Sequence, residues 1–242
     1  MTIDGFRLPP ILDPEHAGIA IDALRRYFAV GVDGVPEFSG SRFERFAGGG
    51  DRVGVTNEFT SDDLVAVTLL SVNIPGQTSL RILGDRDLDY RNGLSTLLRQ
   101  IPTDIELVDA SDEVLEKAEA LWSQVRQNHD VGRTKTSKLL ARKRPHLLPV
   151  IDSVVTTAVG HVPGKHSFYR NLRAALNADD RRLHSHLIAL RDKADVGDDI
   201  SAIRVFDILA WMWGSGRSPV DETDTRQPAT SSITEHEPEV LA

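Results

Sequence analysis

Apolar positions recur at helical spacing through most of the chain, and the alternation expected of strands is scarce. Ala17, Ala20, Ile21, Leu24, Tyr27 and Phe28 fall at intervals of three and four, which place them on one helix face. Asp13 is the expected N-cap of that helix, with Pro14 at its first position. A second helix is expected after Thr60, with Asp63 placed to complete a capping box ahead of Leu64, Val65, Val67, Leu69, Leu70 and Val72. It is apolar nearly all round, which predicts a central position, and Pro75-Gly76 ends it. Val114, Leu115, Ala118, Leu121, Trp122 and Val125 form a clean stripe behind a cap at Ser111. Helical patterns also cover about 78–84, 87–100, 134–142, 153–159, 167–177, 181–193 and 201–213. No fixed-period repeat occurs, and the pattern predicts an all-α fold.

The exception is Gly31 to Glu58, which carries seven of the 18 glycines, including Gly48-Gly49-Gly50. An irregular segment this long inside a compact domain is a functional loop or a floppy one. Phe38, Phe43 and Phe46 are expected to pin it to the core, through a short strand. Glu44 and Glu58 are candidates for a second acid in a pocket. No phosphate-loop or dinucleotide fingerprint surrounds the triple glycine, so it reads as a flexible loop. A single domain is expected over 1–217, followed by an acidic, disordered tail at 218–242. Asp221 to Ala242 holds a net −5 of the chain's −8 and almost no large apolar residues.

The 242 residues contain no cysteine, which excludes disulfides, a cysteine nucleophile, cysteine-ligated zinc and an iron–sulfur cluster. There is no apolar run of about 18 residues, and the first ten residues lack a basic region followed by an apolar core. No membrane span or secretory signal is therefore expected, and the reading is a cytoplasmic protein. His184 and His186 point to different helix faces, while His161 and His166 flank Pro163-Gly164 as loop residues. No metal site or organic cofactor is expected. Trp122, Trp211 and Trp213 sit in periodic runs and read as core anchors.

Charge is concentrated in one place. Val131 to Ile151 carries Arg133, Lys135, Lys138, Arg142, Lys143 and Arg144 with no acid, in an otherwise acidic chain. One helix ends near Asn128, a turn is centred on Val131-Gly132, and another helix starts at Thr134. Gly132 permits a positive φ or the close approach of a phosphate. Amide groups at the start of the second helix point at an anion. Lys135, Lys138 and Arg142 share one helix face, an arrangement suited to a phosphate backbone.

Val131-Gly132-Arg133-Thr134, an apolar helix and Pro149-Val150-Ile151-Asp152 resemble the helix-hairpin-helix (HhH-GPD type) DNA glycosylases over about 113–160. Gly132 and Asp152 are separated by the interval that family shows. The resemblance implies duplex DNA as partner, contacted by Val131 to Lys135 with Lys138, Arg142, Lys143 and Arg144. It implies Asp152 as the essential carboxylate in base excision. Thr134 occupies the position where bifunctional members carry a Schiff-base lysine, and Lys135 lies one residue out of register, so a monofunctional enzyme is implied. Asp130 stands where the hairpin's first glycine belongs, and His129 replaces the usual proline. Taken whole, the chain also resembles an uncharacterised actinobacterial family, which implies no activity.

The residues leave alternatives open. Asp152 suits an N-cap as well as catalysis, and the basic block suits a solvated face as well as DNA. A DNA-binding protein without chemistry, or an interaction module without nucleic acid, would share these features. The sequence does not fix an oligomeric state.

Overall fold

The computed structural model describes residues 6–162 and 167–218. The acidic tail, apart from Ser218, and His166 with its neighbours Pro163-Gly164 lie outside the described residues. Among the described residues the fold is all-α, with no strand. The strand expected near Phe38 is replaced by an isolated bridge, Val30 to Pro36, and by 3-10 turns at Ser39–Arg42 and Phe46–Gly48.

In chain order the helices are α1 (Ala17–Phe28), α2 (Ser61–Ala66), α3 (Gly76–Leu83), α4 (Leu88–Arg99), α5 (Asp112–Arg126), α6 (Arg133–Lys143), α7 (Ser153–Ala158), α8 (Phe168–Ala194) and α9 (Ala202–Gly214). Ser111 caps α5 as expected, its Oγ accepting the Val114 amide. Asp13 makes no capping hydrogen bond. Pro14–His16 is a 3-10 turn, and α1 begins after it. Helix α8 is interrupted at Ala178, Asp179, Asp180 and Arg181, the last three with left-handed φ, which separates it into the two helical patterns read from the sequence.

Helix α2 is shorter and more peripheral than its composition predicts. It buries Asp63 and Ala66, leaves Val65 exposed, and passes into a 3-10 turn at Val67–Leu70 that ends on Ser71 in the left-handed region. The helix buried along most of its length is α9, enclosed by α1, α7 and α8. Its apolar residues join those of the other helices in one buried cluster. None of the described helices is long and apolar enough to cross a membrane.

Candidate functional site

The turn from α5 to α6 is built by side chains that satisfy its backbone. Asn128 donates to the Val125 carbonyl and the Tyr90 hydroxyl, and Arg126 donates to the Val131 carbonyl. Asp130 does not face outward. Its carboxylate accepts from Thr78 Oγ at 2.6 Å, and Lys135 Nζ donates to its carbonyl at 3.1 Å. Gly132 has φ −74°, which any residue adopts, so no left-handed turn requires glycine there. A Cβ on it would approach only Arg126, at 4.0 Å, so close approach by a ligand remains open. Val131 is fully buried.

Four of the six cations among the expected DNA contacts are interior. Lys138, Arg142, Lys143 and Arg144 are each at most 5% exposed, which corrects the expectation of a basic solvent face. Arg142 donates to the carbonyls of Phe43, Glu44 and Phe46. Lys143 Nζ donates to Gly50 and Val55 carbonyls and pairs with Asp63 at 2.6 Å. Arg144 holds the carbonyls of Thr56, Leu98 and Ile101 and the Asn57 side chain. The physical reason is backbone accounting. A long irregular loop leaves carbonyls unpaired, burial of such groups is costly, and these cations satisfy them. Gly50 fits beneath the cage, where a Cβ would lie 2.3 Å from the Arg142 carbonyl. Burial draws all three cations' pKa values downward, Arg144 to about 10.

Arg133 is exposed, Thr134 and Lys135 are half-buried, and only these side chains of the basic set remain near the surface. Lys138 turns toward Asp152, with Nζ 3.9 Å from its carboxylate while donating to the Leu70 carbonyl at 2.7 Å. Desolvation lowers the Lys138 pKa, and the Asp152 charge opposes that shift.

Asp152 is positioned from two sides. Ser137 Oγ on α6 donates to the Ile151 carbonyl at 2.7 Å and accepts the Ile151 amide at 3.0 Å. Asp207 on α9 accepts the Val150 amide at 3.3 Å. The chain then enters α7, where Asp152 Oδ1 accepts the Val155 amide at 2.9 Å. The cap read from sequence is therefore formed, and the other oxygen faces Lys138. Neither Ser137 nor Asp207 carried a sequence signal; each acts through a partner remote in the chain.

Two cavities meet at this point, and Thr134, Asp152 and Ser153 line both. The first, about 410 Å³, is walled by Phe38, Tyr27 and Trp211 and floored by Lys138 and Asp207. Arg204, which also lines it, is paired with Asp207 and with Glu44 at 2.5 Å, and donates to the Tyr27 hydroxyl at 2.8 Å. Burial pushes Asp207 up to about 7 despite Arg204, raises Glu44, and pushes Tyr27 to about 12. The other acid singled out from the sequence, Glu58, lies apart in a pair with Arg91. The second cavity, about 580 Å³, is lined by Trp122, Phe168, Tyr169, His161 and Glu119. Trp122 and Trp211 thus serve as cavity walls as well as core contacts. Among the described residues no group of three or more His, Cys, Asp or Glu could hold a metal ion, and His184 instead contacts Glu106.

Fold and site together define an all-α protein with a helix-capping carboxylate between two cavities. The family of unknown function DUF6308 matches residues 20–214, and the chain belongs to that family. Neither the curated proteins nor the solved structures contain a match.

Proposed function

We propose that the chain is a monofunctional N-glycosylase that cleaves a base displaced from duplex DNA, with Asp152 as the essential carboxylate. The observation that carries this reading is the divided role of Asp152, one oxygen capping α7 and the other turned to Lys138 at the edge of a cavity of about 410 Å³. Cleavage of an N-glycosidic bond builds positive charge on the sugar. A fixed carboxylate stabilises that charge and takes a proton from the attacking water, while the bonding pair leaves with the base. Phe38 and Trp211 offer aromatic walls to a flat ring. The phosphate contact falls to the amides of the α6 N-terminus with Arg133 and Lys135.

The burial of Lys138, Arg142, Lys143 and Arg144 favours a second reading, in which the same carboxylate serves a free nucleoside-sized molecule. Fluorescence anisotropy separates them, using a duplex with a cationic pyrrolidine in place of one nucleotide and an undamaged duplex as reference. The pyrrolidine imitates the charged sugar, and transition-state mimics bind more tightly than ground states. Preference for the cationic duplex supports the glycosylase. Binding to neither duplex ends the DNA reading.

A further inference from the structure

Tyr169 lines the second cavity and carries a hydroxyl that the fold leaves without a partner. The Tyr169 hydroxyl is buried and makes no hydrogen bond, and the residue is only 4% exposed. Leaving a buried hydroxyl unmatched is costly, so its retention calls for a partner from outside the fold. Glu119 also lines this cavity, and its Oε1 makes no hydrogen bond but is ion-paired with Arg170 Nε at 3.5 Å. Burial, and then the nearby Glu119 charge, raise the Tyr169 ionisation above the usual tyrosine range, so the hydroxyl keeps its hydrogen and donates.

The walls are aromatic. Trp122 meets Tyr169 edge-on with ring centres 6.0 Å apart, and His161 meets Phe168 edge-on at 5.2 Å. Aromatic faces favour a flat ring, and edge-to-face pairs hold those faces in fixed directions. The volume of about 580 Å³ exceeds that of a single heteroaromatic ring system, which leaves room for an attached sugar.

We propose that this second cavity is a binding site for a planar, neutral heteroaromatic ring carrying a hydrogen-bond acceptor beside a donor, read by Tyr169 and Glu119. Tyr169 Oη donates to the ring's acceptor, and Glu119 Oε1 accepts from its amino or ring N–H. A carboxylate acceptor selects against rings that present only acceptors. Nucleobases have this edge chemistry, whether free or borne by a nucleic acid. The site does not depend on chemistry at Asp152, because the reaction proposed above uses the first cavity.

The test is amide and indole NMR on the full chain, with adenine, hypoxanthine, cytosine and uracil added separately at millimolar concentration. The expected result is perturbation centred on the Trp122 indole and Tyr169 by at least one base. Tyr169→Phe should weaken that binding about tenfold, the loss of one hydrogen bond, with a melting temperature equal to or above that of the wild type because the variant removes an unmatched buried hydroxyl. Glu119→Gln should weaken the same base. No perturbation by any of the four overturns the site. So does perturbation confined to Phe38 and Trp211, or undiminished binding in Tyr169→Phe. A second arm repeats Tyr169→Phe on the pyrrolidine duplex with adenine opposite and beside the cation. Weaker duplex binding identifies a base borne by DNA as the occupant, and unchanged duplex binding identifies a free ring. Failure of duplex binding with free-base binding intact would sink the glycosylase reading and leave this site standing.

Discussion

The two ends of α6 carry the same residue types and do opposite things. At its C-terminal end Arg142 and Lys143, with Arg144 just beyond, are enclosed, and their donors meet carbonyls or the Asp63 carboxylate. At its N-terminal end Arg133 is exposed, Thr134 borders two cavities, and the Tyr169 hydroxyl and one Glu119 oxygen nearby lack hydrogen bonds. A run of cations therefore has no single meaning. Where every donor is met from within, the charge belongs to the fold. Where buried polar groups beside a cavity are left without hydrogen bonds, the proposed ligand supplies the missing partner.

The largest expected effect breaks the enclosed end. Asp63 is fully buried between Arg142 at 3.3 Å and Lys143 at 2.6 Å. Asp63→Ala leaves two buried cations without their carboxylate and should cost about 3–5 kcal/mol in urea denaturation. A loss below about 1 kcal/mol would show that water reaches the cage and that the contrast between the ends is overstated. Next comes Gly50→Ala, whose Cβ would lie 2.3 Å from the Arg142 carbonyl. The loop or α6 must shift, and the expected cost is about 1–3 kcal/mol by the same method.

Asp207 gives a pH-dependent test of the floor between these regions. Its folded pKa is raised by burial from 3.8 to about 7, so the folded state holds more protons than the unfolded one within that window. Its contribution to stability must then fall as pH rises from about 4 to 7. The melting temperature of the wild type, minus that of Asp207→Asn, should decline across that interval. A flat difference would mean that Arg204 keeps Asp207 ionised throughout. The smallest stability effects belong to the open end. Arg133→Glu should change stability by less than about 0.5 kcal/mol, because the side chain is exposed. The same substitution should weaken duplex binding and flatten its salt dependence if DNA is the partner.

Local features were legible in the sequence and long-range partners were not. The α5 stripe, the Ser111 cap, the division of α8 and the aspartate cap of α7 all follow from neighbours within a few positions. The fate of Arg142 depends on Phe43 and Phe46, almost a hundred residues earlier, and no spacing rule reaches that far. One signal was available. A glycine-rich segment without periodicity must find donors for its carbonyls, and an acid-free block of cations supplies them. Read separately, the two suggest a floppy loop and a basic face; together they are one buried cage. Tyr169 carried no signal, since an unpartnered hydroxyl is visible only once its surroundings are known.

The central claim is that Asp152 does more than cap α7, and Asp152→Asn tests it because asparagine also caps helices. Melting temperature and anisotropy on the pyrrolidine duplex are measured side by side for the wild type and this variant. The account predicts a melting temperature close to that of the wild type and loss of the preference for the cationic duplex. An unchanged preference would contradict it and leave Asp152 as a helix cap alone.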